Sequence, residues 1–200
     1  MNLNKVSETQ TYPIWKKILE DITGGVTVAV ADIKSSTSEI KAGTIVGEGA
    51  TAGLFHICKA AEVYANAAST TVLILTNHEF KVGDFICNGL RSTAITVIAT
   101  GDDYDTLTLT AALTVVDGDA LYEGTSEGID DADIAAKYTA KGITKATVVT
   151  RAYYPQDDGY VALSNVTASV IVRGTINESL MPFIVPTVYK TALTDRIIFD

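Results

Sequence analysis

The sequence is poor in the residues that most often carry chemistry or cross-link a fold. Its 200 residues include only two cysteines, two histidines and one tryptophan. Cys58 and Cys87 are too few for a disulfide framework and lie in no CxxC motif, which predicts two buried free thiols, with a single disulfide between them as the open alternative. His56 and His78 have no carboxylates at ligand spacing, so the sequence predicts no metal site there.

Long apolar runs are also missing. No stretch approaches the roughly 18 consecutive apolar residues of a membrane-spanning helix. The first residues, MNLNKVSETQTYPIWKKILED, contain no apolar core of signal-peptide length. We therefore expect no membrane partner, and a protein that is made in the cytoplasm or carried out as part of a larger assembly.

Positive charge is scarce. Fifteen lysines and arginines face 24 aspartates and glutamates, for a formal net charge of -9. Because such a chain repels phosphate backbones, nucleic acid is a poor partner for it. The stretch between Arg91 and Lys137 has no basic residue and many acidic ones, which predicts a solvated outer face. A calcium site is the alternative, although the spacing does not match an EF-hand.

Catalytic motifs are absent as well. The glycines of residues 47–53 match neither the Walker loop nor the Rossmann fingerprint. Ser69, His78 and Asp84 could be combined into a triad, but no GxSxG elbow supports it. The aspartates of residues 102–105 are more typical of a solvated turn than of a glycosidase pair. The sequence predicts no catalytic residue and no cofactor, and hence a protein that is not an enzyme.

Short alternating apolar stretches separated by polar turns are abundant. Residues 71–121 contain several of them, separated by the HEFKVGD corner, the GDDYD turn and a Gly-Asp corner at residues 118–119. This pattern predicts an antiparallel, barrel-like sheet in a mainly β fold with a few short helices. The alanine-rich residues 55–68 fit either a helix or a strand-loop-strand. The remaining predictions are strands within residues 143–150, 161–172 and 197–199, and short helices within 128–138 and 187–193.

The first 24 residues form a distinct segment. Tyr12 leads into Ile14, Trp15, Ile18 and Leu19, and the last four fit one face of a two-turn helix. Such a segment either packs on its own domain or docks on a partner as an amphipathic arm with an aromatic anchor.

Three blocks of sequence occur in a characteristic order. The first is KAGTIVGEG, the second joins NHEFKVGDFICNG to ITVIATGDDYDTLTLTAAL and DGDALYEG, and the third joins ASVIVRGTINESLMPF to YKTALTDRIIF. Together they resemble the head decoration and head-fibre proteins of tailed bacteriophages. The matching positions in the second block are His78, Phe80, Lys81, Val82, Gly83, Asp84, Asp103, Asp105, Gly118, Asp119 and Leu121.

The resemblance implies a virion structural protein. Such a subunit lies on the outer surface of the phage head, often as a homotrimer, and bridges copies of the major capsid protein or carries a fibre or another virion protein. The alternatives are a carbohydrate- or surface-binding β-module, in which Tyr153, Tyr154 and Tyr160 would stack on sugars, and a hydrolase.

The resemblance also implies a domain layout. An N-terminal arm (1–24) precedes a discontinuous β-rich capsid-binding domain (25–70 and 143–200), which encloses an inserted antiparallel β-domain (71–125) and a connector (126–142). In this layout the HEFKVGD corner, with His78, Phe80, Gly83 and Asp84, is a turn that defines the fold. Partner contacts then fall to Tyr12, Ile14, Trp15, Ile18 and Leu19.

Overall fold

The computed structural model describes residues 14–34, 36–154 and 159–200. Strands make up 49% of the described residues and helices 8%, and the curled antiparallel sheets form half-barrels. The predicted mainly β, barrel-like fold with few helices is therefore confirmed.

The chain forms eighteen strands and two α-helices within the described residues. In chain order they are β1 (Trp15–Asp21), β2 (Val26–Ala29), β3 (Glu39–Ile40), β4 (Ile45–Glu48), β5 (Leu54–Ile57), β6 (Ala60–Glu62), β7 (Ala67–Leu75), β8 (Phe85–Cys87), β9 (Ser92–Ala99), β10 (Tyr104–Val115), β11 (Ala120–Glu123), α1 (Asp131–Ile134), β12 (Thr139–Thr144), β13 (Val148–Val149), β14 (Arg151–Tyr154), β15 (Gly159–Ala162), β16 (Asn165–Ala168), β17 (Val170–Ile176), α2 (Thr187–Leu193) and β18 (Ile197–Phe199).

The first sheet combines strands from both ends of the described chain. Its order is β1-β17-β12-β4-β5-β2-β16, with β18 also beside β17. Most neighbours are antiparallel, but β2 with β5 and β17 with β18 are parallel. Two small two-stranded sheets, β3 with β13 and β14 with β15, complete this half of the molecule.

The second sheet is built from one continuous stretch, in the order β6-β11-β8-β9-β10-β7. It begins at Ala60, and not at residue 71 as the predicted layout had it. The ambiguous residues 55–68 thus belong to strands and loops, because β6 and β7 each find a partner in this sheet. The last residues of the predicted connector, 139–142, belong to β12 of the first sheet.

The predicted N-terminal helix is wrong, because Trp15–Asp21 forms strand β1. The spacing of Ile14 and Ile18 fits a helix, but β17 offers an antiparallel partner from Trp15↔Ile176 to Asp21↔Ile171. Backbone pairing with an existing sheet outweighs a weak local helix preference.

The two C-terminal predictions match the structure. Helix α2 and strand β18 cover the predicted residues 187–193 and 197–199. The predicted helix within residues 128–138 is reduced to the four residues of α1. Its N-cap residue Asp130 makes no side-chain capping hydrogen bond.

Three apolar clusters hold the sheets together. One fills the second sheet around Ile74, Phe80 and Leu107. Another lies on the first sheet around Val28 and Val46. The third contains residues of both sheets and of α2, including the buried free thiols of Cys58 and Cys87. This shared cluster fixes the two sheets against each other. Within the described residues, no helix is long and apolar enough to span a membrane.

Candidate functional site

The HEFKVGD corner lies between the two sheets and is bonded to the loop that joins β2 to β3. The Glu79 carboxylate accepts hydrogen bonds from the backbone N–H of Lys34 at 3.2 Å and from the Thr37 hydroxyl at 2.8 Å. The Lys81 ammonium donates to the carbonyl of Ala31 at 2.6 Å. The corner and the preceding Asn77 are therefore the joint between the sheets, and we use this name for residues 77–84 below.

The His78 ring is buried in the joint. Its Nδ1 accepts the backbone N–H of Phe80 at 3.1 Å, and its Nε2 lies 2.8 Å from Oδ2 of Asp105. Because Nδ1 is an acceptor, the neutral ring carries its proton on Nε2 and donates it to Asp105. The Lys34 ammonium lies 3.3 Å from the same carboxylate oxygen. Asp105 is only 2% exposed, so the prediction of a solvated acidic face is wrong for this residue.

Burial and these neighbours shift the pKa of His78. Burial, with the positive charge of Lys34, lowers the pKa of His78 to about 4, although Asp105 acts in the opposite direction. Burial alone would raise the pKa of Asp105, but the hydrogen bond from His78 and the charge of Lys34 hold it below its usual value. A neutral imidazole is thus held by fixed partners on both ring nitrogens.

A second charged cluster lies where the chain passes from the first sheet to the second. The Lys59 side chain is completely buried, and its Nζ donates to Oδ2 of Asp84 at 2.6 Å and lies 3.4 Å from Oε1 of Glu123. Lys137, which is partly exposed, donates to the same Glu123 oxygen at 2.7 Å. Burial raises the pKa of Glu123, although Lys59 and Lys137 act against it. Glu123 is also only 1% exposed, which corrects the predicted solvated face a second time.

The other histidine, His56, is also held by a neighbouring ring and a carboxylate. His56 stacks on Tyr138 with ring centroids 4.3 Å apart, and its Nδ1 is hydrogen-bonded to Asp32. Burial alone would raise the pKa of Asp32, but the bond to His56 lowers it. Both histidines therefore have carboxylate partners that are distant in sequence.

The exposed apolar residues of β1 are the best-placed candidates for partner contact. Ile18 is 41% exposed and Leu19 58% exposed. Ile14 and Trp15 are partly buried and pack against the cluster shared by the two sheets. Tyr12 lies outside the described residues. The structure therefore turns two of the five predicted contact residues toward the core and leaves two accessible.

Strand β1 also presents a backbone edge. Among the described residues it pairs only with β17 and ends the first sheet. Its register is interrupted three times by bulges, and it carries the charged residues Lys16, Lys17, Glu20 and Asp21. Bulges and lysines discourage unspecific strand pairing, so a partner here would be selected by side chains more than by backbone.

A cleft of about 780 Å³ opens beside the joint. Its walls are largely apolar, with Val30, Ile33, Ile98 and Leu163 among the lining residues. Lys34 and Lys81 also line it, but their ammonium groups are bonded to Asp105 and to the Ala31 carbonyl. The tyrosines of the carbohydrate alternative lie in β14 and β15, and their side chains fall outside the described part of the chain.

The residues considered for catalysis or metal binding have other partners. The Ser69 hydroxyl bonds to the backbone of Thr71, His78 to Asp105, and Asp84 to Lys59. Within residues 14–34, 36–154 and 159–200, no group of three or more His, Cys, Asp or Glu side chains could hold a metal ion.

Sequence reasoning missed the charged clusters. Lys59, Asp84 and Glu123 lie far apart along the chain, so no local motif connects them. The one available signal was a lysine inside an apolar stretch, since lysine is almost never fully buried unless it is paired. No family model, curated protein or solved structure matches the chain.

Proposed function

We propose that the protein is a virion structural subunit that binds the outer surface of a tailed-phage head, as a decoration (cement) protein or a head-fibre base. Its partner in this proposal is the major capsid protein, and the working form is a homotrimer. The proposal starts from the three sequence blocks that resemble this group of proteins.

The contact between these blocks is the observation that carries the proposal. Asn77, in the second block, donates to the carbonyl of Pro182 in the third at 3.0 Å. A Cβ placed on Gly43, in the first block, would lie 2.8 Å from the Pro182 ring. Asn77 and Gly43 thus both contact Pro182, which lies more than a hundred residues further along the chain. This supports reading the three blocks as one structural unit.

The arrangement suits a subunit that bridges others. The joint gives two sheets a fixed relative position, which a cement protein needs to span neighbouring capsid subunits. A protein that binds only the assembled shell stabilises it by mass action. Threefold placement adds avidity to contacts that are weak individually.

The exposed pair on β1 is the surface that we assign to the capsid. Ile18 and Leu19 follow directly from Ile14 and Trp15, which are anchored in the core. The pair is therefore presented by a fixed strand, so little conformational entropy is lost on binding. Partial exposure of two adjacent apolar side chains is compatible with a small hot spot.

Co-sedimentation with expanded, empty heads of the same phage tests the proposal. We expect the wild-type chain to pellet with heads, and an Ile18→Asp/Leu19→Asp variant to lose occupancy at least tenfold. Val149→Asp is the matched control, because Val149 is 58% exposed on another strand. Deleting residues 1–20 is less informative, because it removes most of β1 as well.

Light scattering of the free protein gives its oligomeric state, for which we expect a trimer. If the wild-type chain fails to bind expanded heads, the proposed function is wrong. If the Ile18→Asp/Leu19→Asp and Val149→Asp variants bind heads equally well, the capsid contact lies on a different surface.

A further inference from the structure

We propose that Lys59 and Asp84 condense to an intramolecular amide bond, with Glu123 carrying the protons. This would be a covalent cross-link between side chains, made by the protein on itself after folding. It is independent of any role on a phage head.

The reacting groups are already in contact. Lys59 Nζ lies 2.6 Å from one carboxyl oxygen of Asp84, so the carboxyl carbon is one C–O bond beyond that oxygen. Reacting atoms held about 3–3.5 Å apart gain most of the advantage of an intramolecular reaction. Asp84 Oδ2 also accepts the backbone N–H of Lys81 at 2.7 Å, which holds the carboxyl group in place. This N–H can stabilise the negative charge that develops on the oxygen during attack.

Glu123 is placed to move protons between them. Its Oε1 lies 3.4 Å from Lys59 Nζ, and its Oε2 is buried without a hydrogen-bond partner among the described residues. Backbone contacts fix the same arrangement, because the N–H of Glu123 donates to the Lys59 carbonyl at 3.3 Å. Burial raises the pKa of Glu123, so its neutral, proton-donating form is accessible.

The surroundings favour an amide over two charges. The side chains of Lys59 and Glu123 are 0% and 1% exposed, and that of Asp84 is 10% exposed. Removing a charged pair from water is costly, whereas a neutral amide is far cheaper to bury. Buried sites also exclude the water that would hydrolyse the product.

The reaction balances without an external reagent. Glu123 takes a proton from the Lys59 ammonium and passes it to the Asp84 carboxylate. The neutral amine then attacks the Asp84 carbon and forms the C–N bond. Glu123 removes the second proton from nitrogen and delivers it to the departing hydroxyl, so the C–O bond breaks and one water molecule leaves. Glu123 ends in its starting state.

Lys137 provides the matched control. It contacts the same Glu123 oxygen at 2.7 Å, but its side chain is 37% exposed and, within the described residues, is hydrogen-bonded to Glu123 alone. A Lys137→Arg chain should therefore still form the cross-link. A Lys59→Arg chain keeps a positive charge near Asp84 but has no nucleophilic amine.

Mass spectrometry of the denatured full chain tests the proposal. We expect the wild-type and Lys137→Arg masses to be lower than those calculated from sequence by one water molecule, and the Lys59→Arg mass to equal the calculated value. Cleavage after glutamate should release residues 49–62 and 80–123 as one linked species. The wild-type measurement is decisive by itself, even if a variant does not fold.

Two results would overturn the proposal. One is a wild-type chain with its full calculated mass after prolonged incubation in the folded state. The other is loss of water that persists in Lys59→Arg. That would place the dehydration elsewhere, for example in a succinimide at Asp117-Gly118 or Asp158-Gly159.

Discussion

The buried histidine of the joint makes protein stability depend on pH in a specific direction. Protonating Nδ1 of His78 would break its acceptance of the Phe80 N–H and place a cation beside the Lys34 ammonium. Burial and that charge hold the pKa of His78 at about 4, against about 6.5 for an exposed histidine. Between these values the unfolded chain binds a proton that the folded chain does not.

The free energy of unfolding therefore falls as the pH drops from about 6.5 to about 4. A gap of about 2.5 pH units, at about 1.4 kcal/mol per unit, gives about 3.5 kcal/mol in full. About 2 kcal/mol of this is already lost at pH 5. Above about pH 6.5 the contribution is constant, because His78 is neutral in both states.

Urea unfolding at pH 7.5 and pH 5 measures this loss. His78→Gln should lose about 2 kcal/mol less than the wild-type chain between the two conditions, since it lacks the titrating ring. An NMR titration can follow His78 directly, because the chain has two histidines. An equal pH dependence in wild type and His78→Gln, or a His78 pKa above 6, would refute the reasoning.

Four further substitutions test the packing. Gly83→Ala should lower the free energy of unfolding by only about 1–2 kcal/mol, because the backbone has φ +94° but no described atom lies within 4 Å of the new Cβ. Gly47→Ala should lower it by more, since its Cβ would lie 2.5 Å from the Thr139 carbonyl oxygen. Urea unfolding of both variants gives the order, and the reverse order would contradict the geometry. Leu107→Ala should lose about 2–5 kcal/mol by leaving a cavity in the fully buried core of the second sheet, and calorimetry should show a lower Tm with an unchanged fold. Trp15→Phe should change the free energy of unfolding by less than about 1 kcal/mol, because the buried indole N–H has no hydrogen-bond partner to lose in the described part of the chain; a larger loss in urea would indicate that the indole nitrogen is bonded.

The mainly β fold class could be predicted from the alternating apolar pattern of the sequence. Alternation in residues 71–121 and Pro186 before residues 187–193 were sufficient for most of the second sheet and for α2, because these signals are local. They did not indicate β6 or the start of β7. The same logic failed at β1. There Ile14 and Ile18 have helical spacing, but a strand more than a hundred residues away, β17, supplies the backbone partner. Tertiary pairing of this kind leaves no local trace.

The two buried charged clusters could not be predicted from sequence for a related reason. Asp105 and Glu123 lie in an acidic stretch that is typical of a solvated surface, yet each is buried against a lysine from a distant segment. Charge counting treats the stretch as uniform, whereas burial depends on which residues the sheet turns inward. Whether the chain has enzymatic activity stays a prediction from sequence.

The insertion of one sheet into the other has a consequence for the order of folding. The second sheet needs only residues 60–123, whereas the first cannot be completed until β17 is available to β1, β12 and β18. On a ribosome, the middle of the chain can therefore fold while the C-terminal strands are still unmade. Its two ends are already side by side, since the N–H of Glu123 meets the carbonyl of Lys59. A finished second sheet thus brings β5 and β12 together and shortens the loop that the first sheet must close.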